Sequence, residues 1–242
     1  MKVINNIFGT SLGKKYIMAV TGCGLFLFVI GHLIGNLQIF LGPEAINRYG
    51  HFLQNLGEGL WLVRGGLLAM IGLHIWSAVT LTTQNMAARP VGYREYKPVG
   101  STFASRTMMM SGLIVFVFII YHLLHYTVRV KAVNFTGVDF HDPSFAEPIR
   151  GTVDLHRHDV YRMMIIGFSN VWVSLFYALG VGLLCVHLSH GASAMFQSLG
   201  WKNKVYGPCL DKGARILAVL IFLGYISIPA AILFGFGKEA LK

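Results

Sequence analysis

Six of the ten histidines in this chain, His32, His74, His122, His125, His187 and His190, stand in long stretches that hold almost no acidic residue. Imidazole is the commonest metal ligand among side chains, so their spacing matters. Thr21-Gly22 stands eleven and ten residues before His32 in TGCGLFLFVIGH, and Ser111-Gly112 stands at the same offsets before His122 in SGLIVFVFIIYH. The next apolar stretch of each half carries a second shared pattern, His-x-x-Ser-Ala, at His74 to Ala78 and at His190 to Ala194. Four matched imidazoles point to two metal centres.

The elements that must position these residues follow from composition. Of 242 residues, 55 % are hydrophobic and only 12 % charged, about half the charged share of a soluble domain, and the mean hydropathy is +0.60. A chain of this kind belongs in a bilayer, where a spanning helix needs about 20 apolar residues because no water is present to satisfy the backbone. Five stretches qualify, and the sequence predicts an all-α integral membrane protein with spans near 16–42, 65–88, 107–128, 165–192 and 216–237, a loop over 129–162, and a single membrane domain. The fourth uncharged run, from Met163 to Trp201, is longer than one crossing, so only part of it is expected in hydrocarbon.

With five spans, the N-terminus and the loops after the second and fourth spans share one side. That side holds eleven Lys and Arg, among them Lys14, Lys15, Arg94, Lys97, Lys202 and Lys204, against only Glu95 and Asp211. The positive excess places it, and the N-terminus, in the cytoplasm. The formal charge of +10 sits at span ends, where it anchors to lipid headgroups or a partner; no basic run interleaved with aromatic residues supports nucleic-acid binding. The first apolar run is too long for a signal peptide and has no small-residue cleavage site after it. Cys23, Cys185 and Cys209 form neither C-x-x-C-H nor an iron–sulfur spacing, which removes covalent haem and cysteine-held clusters.

A lone intramembrane histidine can simply bond to a hydroxyl or carbonyl of a neighbouring helix. Several histidines in spans that lack carboxylates point further, to iron held in a tetrapyrrole between helices. His122 and His125, and His187 and His190, each lie three apart near one helical face, so periodicity does not choose between them. The repeat does: it selects His32, His74, His122 and His190 and leaves His125 and His187 beside the cofactor or its propionates. Depth suggests the pairing. His32 lies 16 residues after Tyr16 and His122 lies 15 after Thr107, both about 23 Å from the cytoplasmic edge, so these two are expected to share one haem on the outer side. His74 and His190 are expected to share the other, with the first four spans forming a four-helix bundle and the fifth packing outside. Small residues such as Gly22 and Gly112 would let a backbone or a flat macrocycle come close.

GLFLFVIGH ending at His32, His74 followed by Gly92-Tyr93-Arg94-Glu95-Tyr96, YHLLHY around His122, and HLSHGASAMFQSLGW from His187 to Trp201 resemble the large, fused-type cytochrome b subunit of succinate:quinone oxidoreductases and quinol:fumarate reductases. The likeness covers nearly the whole chain. It implies five transmembrane helices, two b haems with one ligand from each of the first four helices, and pairing of first with third and second with fourth. It further implies an anchor in the inner (cytoplasmic) membrane that holds a flavoprotein and an iron–sulfur subunit on the cytoplasmic face and passes electrons between them and menaquinone or ubiquinone.

A quinone needs a hydrogen-bonding edge and a proton donor or acceptor near the membrane surface. Asn47, Tyr49, His51 and Glu58, in the connection between the first two spans, are the candidates on the outer side, although an amphipathic interfacial segment explains them equally well. Asp154, His156, His158 and Asp159 resemble a metal cluster, but their irregular spacing favours a solvated cap. Lys15, Arg162, Tyr93 or Arg94 could meet haem propionates. Two other readings predict different observables: a di-haem anchor of a nitrate reductase or hydrogenase would carry haem with another soluble partner, and a transporter or haem-free anchor would show no visible absorption.

Overall fold

The computed structural model describes residues 7–89, 91, 101–149 and 155–241. Lys2, the Gly92–Tyr96 stretch with Arg94, Lys97 and Asp154 lie outside the described residues. The structure is all-α in class, with 80 % of it helical. Three of its long helices begin where short polar side chains satisfy free N–H groups at or before a first turn. The Thr10 hydroxyl accepts the Gly13 N–H at 3.1 Å and opens α1, Ser11–Leu37, which a 3-10 turn extends to Leu41. Gly42, at φ 97°, and Pro43 then open the amphipathic α2, Pro43–Gln54. Helix α3 runs over Glu58–Ala87. Thr102 caps the short α4, Phe103–Arg106, before α5, Met108–His122, which continues as a π turn over Leu123–Thr127.

Beyond β1, Ala146–Pro148, and β2, His156–His158, which pair antiparallel, Asp159 caps α6, Val160–Ser169. Asn170 is extended, and its side-chain oxygen accepts the N–H groups of Trp172 and Val173 to start α7, Val171–Ser198. The Asn203 carbonyl oxygen accepts from Val205 and Tyr206, and α8 follows over Gly207–Leu233.

Five helices are long and apolar enough to cross a membrane: Ser11–Leu41, Glu58–Ala87, Met108–Thr127, Val171–Ser198 and Gly207–Leu233. The second and fifth begin several residues before the uncharged stretches that announced them. Glu58 occupies the first turn of one, and Asp211 and Lys212 follow the first turn of the other, because a charge marks the edge of the hydrocarbon and does not end a helix. The fourth differs more. Its expected start near residue 165 falls inside α6, and the crossing begins only at Val171, because Asn170 breaks one helix and caps the next.

Backbone packing divides the expected single domain into two compact units, one of Met1–Val29, Val63–Leu113 and Leu184–Val219, the other of Ile30–Leu62, Ile114–Leu183 and Leu220–Lys242. In the first, Ser11 bonds to Gln84 at 3.5 Å and the Phe8 ring rests 5.7 Å from Trp76. Lys202 reaches Asp211 at 2.6 Å and Ser193 at 2.9 Å, and the Ser193 hydroxyl also donates to Asp211.

In the second unit, the segment expected as an outer loop over 129–162 with a solvated cap has a packed core of its own. Phe140, Phe145 and Met163 form its core with Tyr126, Val138, Val160 and Ile166 against them; each fully buried ring contributes roughly 1.5–3 kcal/mol relative to exposure. Arg157, buried on β2, joins Glu44 of α2 to Glu147 of β1, both at 2.5 Å. Asn47 is fully buried, donating to Asp159 at 2.9 Å and accepting the Tyr161 N–H at 2.8 Å. Pro229 inside α8 lacks the N–H that the Tyr225 carbonyl would otherwise accept.

Candidate functional site

The first unit brings two histidines together in a repeated setting. The rings of His74 on α3 and His187 on α7 lie 6.4 Å apart, centre to centre. The Nδ1 of His74 is 3.1 Å from the Met18 carbonyl and 3.3 Å from the Thr21 hydroxyl. On the other side, the Nδ1 of His187 is 3.2 Å from the Ser111 hydroxyl, and the Met108 backbone bonds to the same imidazole. Met18-x-x-Thr21-Gly22 on α1 and Met108-x-x-Ser111-Gly112 on α5 therefore serve the same purpose in the two halves. The glycines leave space for the imidazoles themselves: a Cβ at Gly22 would stand 3.1 Å from the Cε1 of His74, and one at Gly112 3.4 Å from that of His187.

The His-x-x-Ser-Ala pattern pairs His74 with His190, but the structure sets His187 against His74. His190 is half-buried, with Lys202 and Asp211 as its charged neighbours. Ser77 and Ser193, the serines of that pattern, do different things: Ser77 bonds back to the His74 carbonyl at 3.0 Å, whereas Ser193 meets Asp211 and Lys202. A second signal in the sequence points to His187. It lies 15 residues before Lys202, as His74 lies 15 before Arg89, so the two are equally deep relative to the first cation beyond their helices.

In the second unit, His32 of α1 and His122 of α5 stand 5.7 Å apart, centre to centre, the pair expected from depth. Tyr225 of α8 flanks His32 at 6.3 Å. The hydroxyl of buried Tyr177 on α7 lies 3.3 Å from the Nδ1 of His122 and 3.1 Å from that of His125. His125, in the π turn, is fully buried, and its ring is stacked on Tyr126 at 4.0 Å and Phe140 at 5.9 Å. Its Nε2 has no hydrogen-bond partner among the described residues. Sequence reasoning missed Tyr177, whose hydroxyl bridges His122 and its neighbour His125.

These settings can be tested against a bis-imidazole metal. Two imidazoles bonded at about 2 Å each on opposite sides of one ion put their ring centres roughly 6 Å apart. The separations of 5.7 and 6.4 Å fit, and each pair joins two different helices. His125 does not fit the same role, since stacked aromatic rings occupy its surroundings. Among the described residues no group of three or more His, Cys, Asp or Glu converges as a metal site; a haem iron asks only two ligands of the protein, because the macrocycle fills its other positions. Only 6–33 % of each span's apolar window is buried within the chain, leaving wide apolar surface for lipid or for such a group.

The residues considered for quinone separate. Asn47 is structural, locked between Asp159 and Tyr161. His51 pairs with Asn55 at 2.8 Å, and Glu58 is exposed in the first turn of α3. Tyr49 lines an open groove of about 320 Å³ with Gln38, Ala45, Arg48 and Phe52. His158 and Asp159 belong to the cap. Burial, reinforced by Arg129, lowers the His158 imidazole to about 4 against the opposing pull of Asp159, and Glu44 foremost raises the Arg157 guanidinium above its ordinary value. Arg162 lies over the Phe145 ring at 5.1 Å and bonds to the Ser144 carbonyl.

No family model, curated protein or solved structure matches this chain. The geometry of the histidine pairs therefore carries the functional reading.

Proposed function

We propose that this chain is the di-haem b membrane subunit of a succinate:quinone oxidoreductase or quinol:fumarate reductase, carrying electrons between an iron–sulfur subunit and a membrane quinone. The observation that supports it is the pair of facing imidazoles in each unit, at 5.7 Å for His32 and His122 and 6.4 Å for His74 and His187. Bound haem b supplies a one-electron Fe(III)/Fe(II) couple. His32 and His122 would hold one haem, and His74 and His187 the other, with His187 replacing the His190 expected from the sequence pattern.

The chain's own task is to hold these nitrogens in place and keep water from them. Thr21, Ser111 and Tyr177 meet the Nδ1 atoms of His74, His187 and His122, which would leave the Nε2 of these three as the coordinating nitrogen. The Tyr49 groove, with the Arg48 guanidinium, the Gln38 amide and the Phe52 ring, offers hydrogen bonds and an aromatic wall to a quinone headgroup at the outer membrane surface. In this reading the inner-membrane orientation puts the N-terminus in the cytoplasm, and Lys202 and Lys204 lie on the face that receives the flavoprotein and iron–sulfur subunits.

The test has two parts. A reduced-minus-oxidised spectrum of the purified chain, with an iron-to-protein ratio, should show b-type haem at two per chain; a ratio well below two overturns the assignment of two sites. Co-purification should bring down a flavin-containing subunit that oxidises succinate, and a molybdenum- or nickel-containing partner instead would refute the choice of complex.

A further inference from the structure

The histidines of the first unit carry information about their protons. Thr21 and Ser111 are helical hydroxyls, and each commits its single proton to its own helix: Thr21 donates to the Ile17 carbonyl at 2.7 Å and Ser111 to the Met108 carbonyl at 3.1 Å. Each oxygen is then left with lone pairs only, yet it lies 3.3 Å from His74 Nδ1 and 3.2 Å from His187 Nδ1. The other groups facing these nitrogens, the Met18 and Met108 backbones, offer carbonyl oxygens, which also only accept. A nitrogen facing two acceptors must be the donor. This arrangement favours the Nδ1–H tautomer of both imidazoles, with the lone pair on Nε2.

We infer that Thr21 and Ser111, with the Met18 and Met108 carbonyls, are positioning residues that set the tautomer and ring orientation of His74 and His187 so that both present Nε2 to one iron. This rests on the haem reading above and names what holds its ligands. Back-bonding to a carbonyl three or four residues earlier is common for helical Ser and Thr and by itself would say nothing. What it leaves unexplained is that both oxygens fall on Nδ1 of an imidazole from another helix, at matched positions of two repeats, each beside a glycine that makes room for the ring. An acceptor on the distal N–H raises the basicity of a metal-bound imidazole, which favours the oxidised iron. The small-residue pairs thus tune the ligands as well as admit them.

The experiment uses the full-length chain in its complex, with Thr21→Val and Ser111→Ala alone and combined, and Thr21→Ser and Ser111→Thr as conservative controls. Redox titration and low-spin EPR of both haems are recorded for each. Loss of an acceptor should raise the midpoint potential of the haem held by His74 and His187 and move its EPR signal while the other haem stays unchanged. The double variant should shift further than either single, and the conservative variants should restore the native values. Because each imidazole has its own hydroxyl, Ser111→Ala carries the test if Thr21→Val does not assemble. Unmoved potential and EPR in haem-replete variants, or equal shifts at both haems, would overturn the inference. A wild-type chain without haem would instead overturn the functional reading on which it rests.

Discussion

Gly22 and Gly112 occupy equivalent places in the two repeats, yet the structure predicts different consequences for the same substitution. An alanine Cβ at position 22 would lie 3.1 Å from Cε1 and 3.5 Å from Nδ1 of His74, whereas one at position 112 would lie 3.4 Å and 3.8 Å from the corresponding atoms of His187. Carbon atoms settle at about 3.5–4.0 Å, so Gly22→Ala requires the His74 ring to retreat by roughly half an ångström. That ring is held by Met18 and Thr21 and has little freedom to do so. Overpacking of this kind costs about 1–3 kcal/mol, against a gain of about 1 kcal/mol from replacing a mid-helix glycine. The net expectation is destabilisation by up to about 2 kcal/mol for Gly22→Ala. Gly112→Ala meets ordinary contact and should be neutral or stabilising by up to about 1 kcal/mol. Denaturant unfolding of both variants in one detergent measures the gap, and the spectrum of the haem proposed at His74 would report the displaced ring. Equal damage at the two positions, or a neutral Gly22→Ala, would refute the argument that these glycines are cut to the shape of the imidazoles.

Replacing His187 with Ala should abolish one b haem, while His190→Ala should leave both; the reverse result in a pyridine haemochrome assay would restore the pairing suggested by His-x-x-Ser-Ala. Tyr177→Phe removes the hydroxyl shared by His122 and His125 and should shift the potential of the haem at His32 and His122 without displacing the other, as a redox titration will show. His158 has its pKa lowered from 6.5 to about 4 in the folded cap, so the unfolded chain binds the extra proton first and stability falls as pH drops from about 6.5 toward 4, then levels; hydrogen exchange over residues 140–165 should show that slope in the native chain and lose it in His158→Asn. Arg157→Leu leaves Glu44 and Glu147 without their shared partner and should raise protease sensitivity in the cap while leaving the spectrum of the first unit's haem unchanged.

The five crossings were legible because an uncharged stretch of sufficient length has few other places to go. Their ends were less so. Ser169-Asn170 is a polar pair too short to end the uncharged run around it, yet the Asn170 side-chain oxygen starts α7 apart from α6. Adjacency of His32 and His122 followed from equal depth on two helices rising from the same side. The role of Tyr177 left no trace in the sequence, since a tyrosine in an apolar helix is ordinary and its position between two imidazoles exists only once α5 and α7 are packed.

By itself, the sequence determined that the chain is helical and membrane-spanning, that its apolar stretches carry histidines with almost no acidic residue, and that its two halves repeat. Those properties depend on composition and on intervals along one helix. Only the tertiary structure brings His187 to the ring of His74. Residues three apart face nearly the same way, so the choice depends on which of them meets Ser111 and Gly112 on a different helix. It also turned Asn47 from a quinone candidate into the link between α2 and the cap, because the Asp159 side chain and the Tyr161 N–H that it binds lie more than a hundred residues away in the chain.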